Sequence, residues 1–500
     1  MFFFEKNIDS FIAACIGIII ILLLTKHGGV GISPDSIYYL GTANNLQKGL
    51  FLIQHDAHPL VLFPAGYSLF LAAIIFFFKT TILNIAPFLN AFLFGGLIFL
   101  CGIIMNAFSK ISLIYKRIIL IIICFSISLT EVYSMLWSET LFIIVVFSFI
   151  FSLRKYLQKS TVLHFIVITV IAALACITRY AGVSIVVLGL LFLLIQKNVN
   201  FKSKVIRIVL FFIGSTFFLL LNLIRNYAVS STLTGIRQHG INSLFTNIKL
   251  VGLVFCNWLP FMKVNSTVAL IVAIIFIGVA VLIFLYRLIS NEATDSYEFI
   301  ALSFFLIYLC FIVTIATLSR FETINNRMLA PLFICWVWSF TYFIPSALKS
   351  IQQGIKKKIS ISIVIIIVIS FLIFEAKAVY TAYTTNIEAG IGGYAEDIWD
   401  DSATLYFIKR NAHFFTETTT IYSNANEAVY LFANKVVENL PERVHANFVK
   451  HFFLLHAFYI IWLNNTGNPD CLNMEEIART KRVTSIITFN DGVIYYCTDK

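Results

Sequence analysis

Asp35 stands in the stretch "GISPDSIYYLGTANNLQKG" (residues 31–49), a few positions after the first long apolar run of the chain. Glu131 and Glu139 flank "TEVYSMLWSE" (130–139) between two later runs. Arg179, Arg225, Arg237, Arg320 and Arg327 also sit at the ends of apolar runs, with Glu322 close to the last two, and His55 and His58 precede Pro59. Ionised side chains beside hydrocarbon are costly and persist where something uses them. A carboxylate fixed at membrane level can act as a general base or a metal ligand. The natural anionic partner of several interfacial arginines is a lipid phosphate, because the guanidinium fork matches phosphate oxygens.

Each residue also has a plainer reading. Ser33 as N-cap, Pro34 at the first helical position and Asp35 in the first turn would start a helix running to about Lys48. That start would also hold the carboxylate rigidly, so the two readings of Asp35 are compatible. Glu131 could simply hydrate a turn, and Glu139 could sit favourably at a helix N-terminus. The arginines could pair with carboxylates such as Glu322 or snorkel to water. The two histidines read first as isolated loop residues. The sequence carries no Ser-His-Asp order, P-loop, Gly-rich dinucleotide turn or metal-ligand repeat.

The elements that must position these residues are membrane helices. Of the 500 residues 59% are hydrophobic and only 12% charged, Phe occurs 51 times, and the mean hydropathy is +0.90. Such a chain needs lipid as part of its solvent. The net charge of +11 is spread over short clusters between apolar runs, which argues for cytoplasmic loops and against a nucleic-acid partner. Spans of roughly 20 residues are expected at about 9–25, 84–108, 112–130, 137–153, 162–178, 181–196, 205–224, 267–287, 298–318, 327–346 and 358–378. The first of them lacks a small-residue cleavage site and is expected to be retained. A further run, 60–78, is interrupted by Pro64, which leaves about 14 residues or roughly 21 Å of helix. With that run not crossing and Lys6 inside, the clusters around Lys110/Lys116/Arg117, Arg154/Lys155/Lys159, Lys197–Arg207 and Lys349–Lys358 all fall on the cytoplasmic side.

The expected fold is therefore mainly α. It is a polytopic protein of the cytoplasmic (inner) membrane with about eleven transmembrane helices plus outer juxtamembrane helices, followed by a small soluble α/β C-terminal domain. Residues 1–380 form the membrane domain, with a first outer loop at 27–83, and residues 381–500 form the outer domain. There the β-prone runs "TTTIYSN", "FYIIWLN", "TSIITF" and "GVIYYCT" alternate with helix-like stretches, and Asn490-Asp491-Gly492 signals a hairpin. The candidate residues all fall on the outer side.

The span followed by "PDSIYYLGTANNLQKG" and "HPLVLFPAGYSLFLAAIIF" resembles the start of GT-C superfamily glycosyltransferases, of the protein O-mannosyltransferase and aminoarabinose transferase type and their bacterial relatives. Further matching stretches are "TEVYSMLWSETLFIIVVF", "ACITRYAGVSIVVLGLLFLL", "LNLIRNYAVSSTLTGIRQ" and "RFETINNRMLAPLFI", with "IYSNANEAVYLFANK" like the tail domain of some bacterial members. The resemblance implies a membrane enzyme that moves a sugar from a polyprenyl-phosphate donor to a lipid, glycan or protein acceptor. Asp35 then matches the first-loop acid and Glu131 the second-loop acid, either of which could hold a divalent cation (Mg or Mn). Arg225, Arg237 or Arg327 would bind the donor phosphate, and Tyr38, Tyr39, His58, Arg179 and Glu322 are possible substrate contacts. Where many members have adjacent acids or a Lys-Pro-Pro segment, this chain has Asp35-Ser36 and "HPLVLFP". A surface-polysaccharide polymerase and a transporter or flippase of lipid-linked sugars are the alternative readings.

Overall fold

The computed structural model describes residues 2–108, 112–197, 199–260, 265–290, 294–320, 322–351, 354–415, 419–464 and 466–500. Lys110 and Phe321, which belong to stretches singled out above, lie outside the described residues. The chain forms two compact units. The first comprises Met1–Val30, Val61–Phe70 and Thr80–Ile387, and the second Gly31–Leu60, Leu71–Lys79 and Glu388–Lys500.

The helices in chain order are α1 (Phe2–Leu24), α2 (Pro34–Gln47), α3 (Gly66–Phe78), α4 (Ile82–Met105), α5 (Leu113–Cys124), α6 (Ile127–Ser134), α7 (Glu139–Gln158), α8 (Val162–Thr178), α9 (Val183–Ile195), α10 (Phe201–Ser230), α11 (Leu244–Asn257), α12 (Ser266–Ser290), α13 (Tyr297–Leu318), α14 (Asn326–Thr341), α15 (Ile344–Ser350) and α16 (Ile355–Ala389). Among the described residues, eight helices are long and apolar enough to cross a membrane, or nine if the pair α5 and α6, bent by 46°, counts as one span. The expected figure of about eleven is thus not reached by length. The segments 162–178 and 181–196 do fold as apolar helices, but shorter ones. The chain is a multi-pass membrane protein. α3 has only 13 residues, about 20 Å of helix, which is short for a crossing.

Polar residues at the helix starts explain where these apolar runs break. The side chains of Ser126, Thr161, Asn200, Ser243, Ser296 and Asn325 accept from backbone N–H groups of the first turns of α6, α8, α10, α11, α13 and α14. Ser126 is the one that bends the chain, so Glu131 lies inside α6 and not in a turn between spans as its sequence suggested. Three side chains then fix α6. Trp258 Nε1 donates to Ser128 Oγ at 2.7 Å, Asn90 Nδ2 donates to the Met135 carbonyl at 2.8 Å, and Glu375 accepts from the Ile127 N–H at 2.8 Å. Elsewhere in the unit Lys116, read above as a loop charge, is buried, with Nζ 2.7 Å from Asp9 and 2.8 Å from Asn106.

The second unit carries a five-stranded mixed sheet. Its strands β3 (Ile421–Ser423), β4 (Glu438–Asn439), β5 (Ala457–Leu463), β6 (Lys481–Thr488) and β7 (Gly492–Asp499) follow a small antiparallel pair, β1 (Gly390–Ile391) and β2 (Ala395–Glu396). The sheet order is β4-β3-β5-β7-β6. The expected Asn490-Asp491-Gly492 turn joins β6 to β7, and Asp491 also accepts from Ser402 Oγ and from Thr404, holding the start of α18 (Ala403–Arg410) once the one-turn α17 (Asp397–Asp400) is passed. α19 (Asn426–Ala433), α20 (Ala446–Leu454) and α21 (Met474–Thr480) complete the unit. Cys471 and Cys497 are unbridged and lie in one apolar cluster with Tyr422, Phe452, Phe458 and Ile460.

The segment leading into α2 is tied to this second unit by backbone. The Tyr394 N–H donates to the Ile32 carbonyl at 2.7 Å, and Ile32 bridges Gly393 in parallel. Gly393 has φ +87°, and a Cβ there would strike the Ile32 carbonyl oxygen. Gly393→Ala is therefore expected to cost roughly 1–3 kcal/mol through the left-handed backbone and the clash, read as a lower thermal midpoint and faster proteolysis at residues 31–33. Gly392→Ala meets no atom closer than 3.8 Å and is expected to leave both unchanged.

Candidate active site

In the first unit the charged residues converge through Glu139. This carboxylate opens α7 and is 1% exposed. Arg327 Nε donates to its Oε1 at 2.6 Å, and Arg179 pairs with its Oε2. Arg179 also donates to Ser138 Oγ at 2.8 Å. The guanidinium of Arg327 lies over the Trp137 ring, 4.1 Å from its centroid, and is 3.8 Å from Glu322. Glu322 in turn accepts from Asn325 Nδ2 at 2.8 Å. Exposed Glu131 on α6 feels the charges of Glu322 and Arg327. Of the residues expected to serve a site, Glu131, Arg179, Glu322 and Arg327 are thus brought together, around a residue, Glu139, that the sequence suggested only as a helix start. The available signal was its place at the very start of an apolar run, two residues after Trp137.

A neighbouring set in the same unit involves Arg225 and Arg237. Arg237 donates to the Leu62 carbonyl at 3.1 Å, while Asn226 Nδ2 and Tyr180 Oη donate to the Val61 carbonyl, each at 3.3 Å. Arg225 donates to Asn226 Oδ1 at 3.1 Å. Arg320 holds the other side of the same loop, donating to Gln238 Oε1 at 2.6 Å and, by its backbone, to the Gln238 carbonyl at 2.9 Å. Tyr180 directly follows Arg179, so the two sets meet at one turn. Burial pushes the Arg237 pKa down.

Asp35 belongs to the second unit. It is half-buried in the first turn of α2, after Pro34, and the Ser33 N–H donates to Ser36 Oγ at 3.0 Å, closing the helix start. Tyr38, one turn on, senses the charges of Glu427, Asp56, Asp35 and Glu442, and burial drives its phenol pKa far up. Tyr39 is buried at 2% exposure. His58 pairs with Glu438 at 3.0 Å, and that bond raises the imidazole pKa. Burial likewise raises the Glu427 carboxyl pKa, and Tyr394 Oη donates to it at 3.4 Å. A cleft of about 450 Å³ opens in this unit, lined by Asp56, Thr419, Thr420, Lys435, Val437 and Glu438 among others. Asp35 and Glu131 fall in different units, and among the described residues no three His, Cys, Asp or Glu side chains gather as a metal-ligand set.

Neither a family model nor a curated protein sequence matches the chain. Solved structures do resemble it. ArnT from Cupriavidus metallidurans bound to undecaprenyl phosphate superposes with a TM-score of 0.59 at 9% identity, over 97% of each chain. Its apo form gives 0.53 at 10% identity, again over 97% of each chain. The archaeal oligosaccharyltransferase AglB from Archaeoglobus fulgidus, in complex with an inhibitory peptide and a dolichol-phosphate, gives 0.53 at 12% identity over 92% of this chain and 70% of that one. At such identities the likeness concerns the fold. That fold is a polytopic helical membrane unit with a small C-terminal α/β region.

Proposed function

We propose that this protein transfers a sugar from a polyprenyl-phosphate donor to a lipid, glycan or protein acceptor at the outer face of the inner membrane. The observation that carries this reading is the whole-length likeness to a chain that was crystallised with undecaprenyl phosphate. The arginines and carboxylates gathered at the helix ends of the first unit support it. In this reading residues 1–380 are the catalytic domain, and 381–500 an outer domain on which the Asp35 helix is built.

Transfer breaks the bond between the anomeric carbon and the donor phosphate oxygen and forms one to an acceptor oxygen. The acceptor proton goes to a base, and the leaving polyprenyl phosphate takes the electron pair. Asp35 is the proposed base. Glu131 contacts the acceptor. Arg225 and Arg237 receive the phosphate, whereas Arg327, already held by Glu139, orients the cluster and contributes its outer edge. Tyr38, Tyr39, His58, Arg179 and Glu322 remain proposed contacts or supports. Turnover with EDTA, and with added Mg²⁺ or Mn²⁺, measures whether transfer depends on a divalent cation.

The test is incubation of the purified protein with a panel of polyprenyl-phosphate sugars, following release of polyprenyl phosphate. Asp35→Asn keeps the shape and the helix start but cannot accept the proton, so turnover is expected to fall by roughly 10²–10⁴-fold with folding intact. Normal turnover by that variant would reduce Asp35 to a helix-start residue.

Donor affinity separates the arginines. At Arg225 and Arg237, Ala is expected to cost roughly 2–3 kcal/mol, or about 30–150-fold, and Lys distinctly less. Equal affinities for wild type, Lys and Ala would remove the residue from the site. At Arg327, Ala leaves the buried Glu139 with Arg179 as its remaining arginine partner, so a loss of thermal stability of roughly 1–3 kcal/mol is expected alongside any loss of binding.

A further inference from the structure

Residues 52–60, "LIQHDAHPL", form a tight hairpin. Ile53 bridges Pro59, the Gln54 N–H donates to the His58 carbonyl at 2.8 Å, and the Leu60 N–H donates to the Leu52 carbonyl at 2.8 Å. Two of its residues with side chains adopt the left-handed conformation, Leu52 at φ 53° and Ala57 at φ 67°. Such strain persists where the surroundings over-determine it. Asp56 stiffens the turn by accepting from Gln54 Nε2 and the His58 N–H, both at 3.0 Å.

What the hairpin presents is His55, 1% exposed. On one side of the ring is α19, where Asn426 Nδ2 lies 3.2 Å from Nε2 and the Tyr430 ring meets the imidazole edge-on at 5.5 Å. On the other side is α2. Tyr38 meets the ring edge-on at 4.9 Å, and Gly41 comes so close that a Cβ on it would lie 2.6 Å from His55 Cβ and 2.8 Å from its backbone nitrogen. One turn further, Asn45 Nδ2 donates to the carbonyls of Ile53 and Gln54 at 3.1 and 3.0 Å. Positions 38, 41 and 45 share one face of α2, and that face is docked on the hairpin; Asp35 lies one turn before Tyr38 on the same short helix.

We infer that His55 is a positioning residue for Asp35: wedged between α2 and α19, it sets the rotation and height of the helix whose first turn holds the carboxylate. The inference rests on the proposed role of Asp35 as base. Burial lowers the His55 pKa, against the pull of Asp56 and with the push of His58, so the wedge is a neutral ring that can lie between two tyrosines. Gln in its place would keep the reach to Asn426 but lose both ring contacts, and Ala would lose the ring contacts and Asn426, keeping only the Cβ and backbone packing against Gly41.

The test uses the full-length purified chain and two readouts, hydrogen exchange of the α2 amides and turnover on polyprenyl-phosphate sugars. In His55→Ala, exchange of α2 is expected to rise about tenfold or more while the strands β5 to β7 stay protected. kcat is expected to fall by about 10–100-fold with KM for the donor within about twofold. His55→Gln should recover part of both, and Asn426→Ala should reproduce part of the loss. Should His55→Ala expose the β5–β7 amides as well, His55→Gln and Asn426→Ala decide. Wild-type exchange of α2, or kcat within about twofold of wild type, in the folded variants overturns the inference. Asp35→Asn run in parallel tests the reading beneath it: lost turnover with unchanged α2 exchange upholds the base. Normal turnover removes the base, and with it a carboxylate for His55 to position.

Discussion

One buried carboxylate holds the charged end of the helical unit together. Glu139 ties the start of α7 to the end of α8 through Arg179 and to the start of α14 through Arg327, inside packing that leaves it 1% exposed. Two guanidinium groups on one carboxylate repay desolvation that a single pair would not, with Ser138 Oγ accepting from Arg179 and the Trp137 ring lying under Arg327. The arrangement also divides labour among the arginines. Glu139 and Glu322 face Arg179 and Arg327, whereas Arg225 donates to the Asn226 side-chain amide and Arg237 to the Leu62 carbonyl.

Much of the architecture could be read from the sequence because lipid imposes a simple code. A long apolar run must satisfy its own backbone, and so the expected segments do fold as helices. The β-prone runs near the C-terminus and the Asn-Asp-Gly turn were readable for the same reason: they are local. What escaped was set by distant partners or by one polar atom. Ser126 looks unremarkable in an apolar stretch, yet as an N-cap it bends the helix and moves Glu131 from a turn into α6. Lys116 read as a loop charge because Asp9, its counter-ion, is 107 positions away. β4 is two residues long and forms only where β3 offers an edge.

The candidate site was legible residue by residue but not as a constellation. Arg327 and Glu139 are 188 positions apart, and nothing in either neighbourhood announces the other. The outer arginines were expected to seek an anion, and two of them, Arg179 and Arg327, have one inside the protein. The sequence set His55 and His58 side by side as ordinary loop histidines. Folding separates them, with one sealed between two helices and the other exposed and paired with Glu438.

The strongest constraint on Asp35 comes from the far end of the chain. α2 is made among the first fifty residues, but the groups that fix it are Gly393 and Tyr394 against Ile32, Asn426 and Tyr430 against His55, and Glu438 against His58. The last of these pairs spans 380 positions. A short helix of 14 residues has little stability of its own in water. Its geometry is therefore supplied by residues far away in the sequence, and the small α/β region belongs to the structural support of Asp35 as surely as the membrane helices belong to that of Glu131.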